Sequence, residues 1–316
     1  MPDPLLSVII PHYNGAHHLP PCFNALRAQS YRRLEVILVD NGSTDESVAL
    51  TRRDFPEVKV IELGRNLGLT GAINRGIQQA TGEVLVPLNN DTEAAPGWAA
   101  ALVDRLNAFP DAGMVASKML LFSERHKIHS AGDGFGSDGI PINRGVWQPD
   151  TGQFDADTYI FGGCGGAVAY RRDMLADIGM FEEALFMYLE DVDLNWRAQL
   201  AGYRVVFAPR AVVYHHLSAT GGGVIASYYT GRNTLWVLAR DVPGVVWRRY
   251  WAKIVGAQLK IALDAVRAWR GEAARARLKG QLAGLLGLPR WLRKRGQIQR
   301  ARRVSDDYVL GLLTHK

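Results

Sequence analysis

Cysteine is nearly missing from this 316-residue chain, with only Cys22 and Cys164 present. Two thiols cannot build a disulfide framework and neither has a zinc-ligand spacing, so they point to a reducing compartment and to core or site-lining roles. No run of eighteen apolar residues is free of charge, so no segment is expected to span a bilayer. The opening MPDPLLSVIIPHYN has no positive stretch before its apolar run and no small-residue cleavage signal after it; a first strand is expected there, not a signal peptide. Neither G-x-G-x-x-G nor G-x-x-x-x-G-K-[ST] follows the apolar runs at 5–10, 35–40, 58–63 or 83–88, which argues against ordinary dinucleotide and P-loop sites. Internal repeats are absent too.

What remains is an ordinary globular composition, 47% apolar and 22% charged. The net charge of +6 hides an asymmetry. Residues 1–223 carry 18 Lys/Arg against 26 Asp/Glu, a net −8, and residues 224–316 carry 19 against 5, a net +14. Two parts with different jobs are implied, 1–223 and 224–316, the second suited to meeting anionic lipid or nucleic acid.

Four apolar runs, at 5–10, 35–40, 58–63 and 83–88, alternate with amphipathic stretches near 17–29, 45–53 and 68–80. Runs this continuously apolar suit strands buried on both faces, so a mainly parallel, twisted α/β sheet flanked by helices is expected. From about 113 to 165 the pattern loosens into short strands and Gly-rich turns, and a loop in 120–150 is a candidate lid. A helix is expected at 186–201, then two short strands broken at Pro209, then helices from Val224 onward.

Each of the first four strands ends on polar or small residues: Pro11-His12-Tyr13-Asn14-Gly15, Asp40-Asn41-Gly42-Ser43, Gly64-Arg65-Asn66 and Asn89-Asn90-Asp91. In open α/β sheets ligands bind beyond such strand ends, so four together make a pocket. Asp40 can accept hydrogen bonds from a base or ribose, or it can simply hold an Asx turn. Asp91 is placed to bind Mg²⁺ or Mn²⁺ bridging substrate phosphates, or to serve as a turn or cap residue. In FMYLEDVDLNWR, Glu190, Asp193 and Arg197 fall on one helical stripe, which reads either as a solvated charged face or as acids whose apolar neighbours raise a carboxylate toward general-base values. His215 and His216 follow an apolar strand, where histidine is usually packed but can also bind Mn²⁺.

Together the segments SVIIPHYNGAHHL, VILVDNGSTDES, GRNLGLTGAINRGI, LNNDT and YLEDVDLNWRAQLAGYRVVFAPRAVVYHH resemble the family 2 inverting glycosyltransferases of GT-A fold, in their rhamnosyltransferase-like branch, over residues 5–220. The resemblance implies that Pro11, Tyr13, Asn14, Asp40, Arg65, Asn66 and Asn90 border the nucleotide. It implies that Asn89, Gly163 and Cys164 lie near the donor sugar. Asp91 would close the family's D-x-D metal motif, here Asn-Asn-Asp, with His215 completing the metal shell. Asp191 would be the general base, with Glu190 beside it toward the acceptor. The donor implied is a dTDP- or UDP-sugar, rhamnose being the sugar by similarity, and the acceptor a glycan or lipid-linked glycan.

The basic 224–316 segment, with Trp and Leu interleaved, suits a helical layer lying on an anionic membrane surface, a solvated extension or a dimer contact. A cytoplasmic enzyme, peripheral at the inner face of the plasma membrane, is expected. The competing readings are a metal-dependent nucleotidyltransferase and a nucleic-acid binder. The second accounts for the basic tail but not for four polar strand ends in an acidic body.

Overall fold

The structure, a computed structural model, describes residues 3–216 and 223–315. Strands β1 (Leu6–His12), β2 (Leu34–Asp40), β3 (Lys59–Glu62) and β4 (Val84–Pro87) alternate with helices α1 (Leu19–Arg27), α2 (Ser47–Asp54) and α3 (Gly68–Gln79). The body continues through β5 (Thr92–Ala94), α4 (Trp98–Ala108), β6 (Ala112–Leu121), β7 (Ile128–Ser130), β8 (Asp133–Gly136), β9 (Pro141–Asn143), β10 (Tyr159–Ile160), β11 (Val168–Arg171), α5 (Arg172–Ile178), α6 (Glu190–Leu200) and β12 (Arg204–His215). Then come α7 (Val224–Arg240), α8 (Gly244–Arg267), α9 (Glu272–Arg300), α10 (Asp306–Gly311) and β13 (Leu313–Thr314).

Ten strands form the central sheet, in the order β10-β12-β6-β11-β4-β1-β2-β3 with β5 on β12 and β7 on β6. Its N-terminal half, β4-β1-β2-β3, is parallel, as the continuous apolar runs require. The other half is mixed, because β11 runs antiparallel between β4 and β6. Alternation along β1 sends Val8 and Ile10 into one core with Phe23 and Trp98, and Ile9 into the core on the opposite face with Ile73 and Tyr170. Three local expectations are corrected. The two strands around Pro209 are one strand, β12, whose pairing with β6 shifts between Ala208 and Val212; that irregularity takes up the proline, which has no N–H to give the ladder. The supposedly loose 113–165 region begins with β6, ten residues long and buried throughout. The helix expected from 186 starts at Glu190.

The C-terminal helices stand on the body. Val237 and Leu238 of α7 share a core with Trp196 of α6 and Phe135 of β8. Where α7 crosses α9, Gly280 lies against the Tyr228 carbonyl and Gly284 against the Arg232 carbonyl, an approach that no larger residue allows. Asp193 and Arg197 do not form a solvated face: they are buried and paired at 2.7 Å, with Arg240 of α7 closing on Asp193, Asp241 and Glu182. Among the described residues no helix is long and apolar enough to cross a membrane.

Candidate active site

The first four strand ends open onto a cleft of two adjoining cavities, about 390 and 520 Å³, that share Pro11, Leu69, Asn90 and Met187. The larger is walled by Tyr13, Asn14, Asn41, Asn66, Phe186, Ile225 and Tyr229, with the Tyr13 ring exposed. Asn14 sits at φ 54°, its Oδ1 accepting from Thr44 N at 2.9 Å and its N–H donating to Ser43 Oγ. Asn66 Oδ1 accepts from Asn41 Nδ2 and Gly68 N. Asp40 and Arg65 are not on the cavity wall. The buried Asp40 carboxylate accepts from Gly42 N and Ser43 N, the Asx turn, and Arg65 is exposed. Gly42, at φ +83°, lies so close beneath the Arg65 backbone that a Cβ would stand 2.8 Å from its Cα.

Asn90 is fixed from behind. Burial brings His12 down to about 4, so its ring is neutral near pH 7. Asn90 Nδ2 donates to His12 Nδ1 at 2.7 Å, His12 Nε2 donates to Ser47 Oγ at 2.6 Å, and the Ser47 hydroxyl donates to Asp45. This chain leaves the Asn90 carbonyl oxygen to the cleft.

The smaller cavity brings together Asn89, Asp91, His129, Asp133, Cys164, Glu190, Asp191 and His215. Asp91 Oδ1 and His215 Nε2 are 3.1 Å apart, with Asn89 Nδ2 3.4 Å from the same ring nitrogen. Burial opposes the Asp91 charge, but the hydrogen bond and charge of His215 outweigh it and hold the carboxyl below its usual value. His215 Nδ1 is 3.1 Å from Nδ1 of His129, whose own pKa burial lowers to about 4. No three His, Cys, Asp or Glu side chains among the described residues make a metal cage. A pair such as Asp91 and His215 nonetheless fits Mg²⁺ or Mn²⁺ bound with substrate phosphates, which supply the remaining oxygen ligands.

The same cavity holds three further acids. Asp191 Oδ2 accepts from Gly165 N at 2.9 Å and Oδ1 from Val192 N at 2.8 Å. Burial pushes its pKa up against those hydrogen bonds. Burial and then the Asp191 charge push Glu190 up to about 8. Asp133 is raised well above the carboxylate range, by burial first and Asp191 second. Glu190 Oε2 and Asp133 Oδ1 are buried without a hydrogen-bond partner among the described residues. Among these three, Asp191 is the carboxylate with two backbone donors, and those hydrogen bonds favour its charged form against the burial that opposes it. Cys164 lies on the wall, its thiol raised by burial, whereas Gly163 sits behind, its N–H given to Asn195 Oδ1.

The approach to Glu190 and Asp191 is unusual. Phe186, Tyr188 and Leu189 all have φ between 64° and 68°, a region that side-chain-bearing residues enter only when their surroundings compel it. The compulsion comes from α7: Asn233 Nδ2 is within 2.7–3.0 Å of the Leu185, Met187 and Tyr188 carbonyls, and Arg232 donates to the Ala184 and Leu185 carbonyls. Gly68 lies under the Phe186 ring, where a Cβ would collide. Sequence reasoning missed Asn233, His129 and Asp133. The one available signal for Asn233 was a lone carboxamide inside an apolar helix.

This strand-end cleft, with a carboxylate–histidine pair and three further carboxyl groups in one cavity, sits in a fold of GT-A type. The chain belongs to glycosyl transferase family 2, whose model matches residues 7–179. It is 27% identical over 276 residues, 77% of this chain and 87% of the relative, to the N-acetylglucosaminyl-diphospho-decaprenol L-rhamnosyltransferase of Mycobacterium tuberculosis. Its fold resembles that of GalNAc-T7 solved with UDP, GalNAc and Mn²⁺ (TM-score 0.62, 18% identity, 78% of this chain and 50% of that one). It also resembles the mannosyltransferase PcManGT of Pyrobaculum calidifontis solved with GDP-Man and Mn²⁺ (TM-score 0.53, 17% identity, 98% and 79%). The protein is therefore a glycosyltransferase.

Proposed function

We propose that this glycosyltransferase inverts the sugar carbon and moves a hexose, rhamnose by similarity, from a dTDP or UDP carrier to a hydroxyl of a lipid-linked glycan. The observation that carries the reading is that Asp191, held by two backbone N–H groups, shares one cavity with Asp91 and His215. Asp191 takes the proton of the acceptor hydroxyl as its oxygen bonds to the sugar carbon. The carbon–oxygen bond to the diphosphate breaks on the opposite face. A divalent cation held by Asp91 and His215 would neutralise the departing diphosphate. Asn90, oriented by His12, offers its oxygen to the nucleotide, and the Tyr13 ring offers a stacking face. Asp40 then acts through the turn it holds.

The boundary we propose at 223/224 separates jobs and not packing, since α7 lines the cleft with Ile225 and Tyr229. Trp251, Leu259, Leu263 and Val266 of α8 and Leu282 and Leu286 of α9 are exposed. They lie among the exposed bases Lys253, Lys260, Arg267, Arg270, Arg290 and Arg293, a surface matched to the anionic inner face of a plasma membrane. Thermal shift with UDP, dTDP, GDP and CTP, each with and without Mn²⁺, tests the donor reading. Metal-dependent stabilisation by a diphosphate is expected, and preference for the triphosphate would make the protein a nucleotidyltransferase instead. Cosedimentation with anionic vesicles that salt does not weaken, or its absence, would remove the membrane reading.

A further inference from the structure

A second concavity, about 610 Å³, lies between α7, α8 and α9 and is walled almost wholly by apolar side chains, among them Leu235, Leu238, Trp247, Leu259, Leu285 and Leu292. Leu259, Leu285 and Leu292 at its lip are more than half exposed, a large apolar area to leave in water. Helix α7 joins it to the cleft. Ile225 and Tyr229 line the cleft while Leu235, Leu238 and Ala239 line the groove. The two are therefore roughly 9–21 Å apart along the helix axis at 1.5 Å per residue. Between them, level with Gly231, stands Arg277 of α9, its Cδ packed so closely that a Cβ on Gly231 would be 3.1 Å away. Arg277 is half-buried and has no hydrogen-bond or ion-pair partner among the described residues, and desolvation alone lowers its pKa. A desolvated cation without a partner calls for an anion.

We infer that Arg277 and the groove form one site for the lipid of the acceptor: the guanidinium takes a phosphate of a lipid diphosphate, and the groove takes the start of its hydrocarbon chain. This rests on the transferase reading above, since it assumes that the head of the same lipid reaches Asp191. Along α7 the cation stands between the nucleotide-side cavity of the cleft and the groove, so a diphosphate on Arg277 has its sugar end toward the cleft and its chain toward the groove. A second copy of this chain is the poorer occupant, because the 224–316 segment of each copy carries a net +14 and two such segments repel.

The test is a titration of the full chain by tryptophan fluorescence, Trp247 being on the groove wall, with geranylgeranyl diphosphate and with geranylgeraniol. Arg277→Gln should weaken the diphosphate by about tenfold or more and leave the alcohol unchanged. Leu259→Gln and Leu285→Gln, both at exposed positions, should weaken both probes. All three variants should keep the UDP- and dTDP-induced thermal shift of the wild type. Equal affinity of wild type and Arg277→Gln for geranylgeranyl diphosphate would overturn the inference, as would sedimentation of the probe-free protein as a dimer that Leu285→Gln dissociates. If nucleotide stabilisation persists while the prenyl probes fail, only this inference falls. If the wild type shows no nucleotide stabilisation, the transferase reading falls instead.

Discussion

The cleft and the helical groove share a helix and have opposite chemistry. The cleft gathers Asp133, Glu190 and Asp191 beside the linked histidines His129 and His215, and two backbone N–H groups fix the Asp191 carboxylate. The groove is nearly free of polar walls, and the one base that lines it, Arg295, is taken up by the Ala239 and Val242 carbonyls. A cleft of that kind must hold charge still while bonds change. A groove of that kind needs only to exclude water, so it tolerates exposed leucines and imprecise packing. The difference teaches that α7 is where precision passes into adaptability: Asn233 on one stretch sets carbonyl positions, while Leu235 and Leu238 merely fill space.

Four experiments sharpen or break this contrast. The largest effect belongs to Asp191→Asn, expected to lower transfer by about 10²–10⁴-fold while leaving nucleotide affinity and vesicle binding intact; full activity in a radiolabelled-donor assay would remove it as the base. Next, Asp91→Ala should abolish the Mn²⁺-dependent part of nucleotide stabilisation. His129→Ala should raise the Mn²⁺ needed for half-maximal turnover by about 10–100-fold, as loss of a ligand's supporting hydrogen bond does. Third, Asn233→Ala should lower kcat and cost about 1–3 kcal/mol in urea unfolding, with prenyl-probe affinity unchanged if the two stretches of α7 do separate jobs.

The smallest effect concerns pH. Glu190 has a folded value of about 8 against an ordinary 4.5. A carboxyl raised on folding leaves stability untouched below pH 4.5 and erodes it as pH climbs through 8, where the folded state must give up the proton. The melting temperature should fall across that window, and Glu190→Gln should flatten the fall. A variant whose melting curve keeps the wild-type slope would show that Glu190 ionises freely.

Much of the cleft was legible in the sequence because it sits where apolar runs stop. Asn89 to Asp91, Glu190 with Asp191, and His215 are all adjacent to such a boundary, and the fold gathers them in one cavity. Asp40 was legible as a strand end but not in what it does, since a carboxylate followed by Asn-Gly-Ser can close on its own backbone as easily as on a ligand. His129 and Asp133 were hidden in a Gly-rich stretch without periodicity, where short strands β7 and β8 are specified by their neighbours and not by local pattern. The mixed half of the sheet was hidden for a related reason: strand direction depends on which neighbour a segment meets, and β11 is only four residues long.

The three left-handed residues before the carboxylate pair have a practical consequence for anyone recombining relatives of this enzyme. Their conformation is dictated by a carboxamide more than forty positions downstream, beyond the stretch that the family model spans. A chimera joined between these regions would inherit the loop before Glu190 and Asp191 from one parent and the template for that loop from the other. Successful grafts must therefore carry Gly68, residues 184–191 and Arg232-Asn233 together, as a single inseparable unit of inheritance.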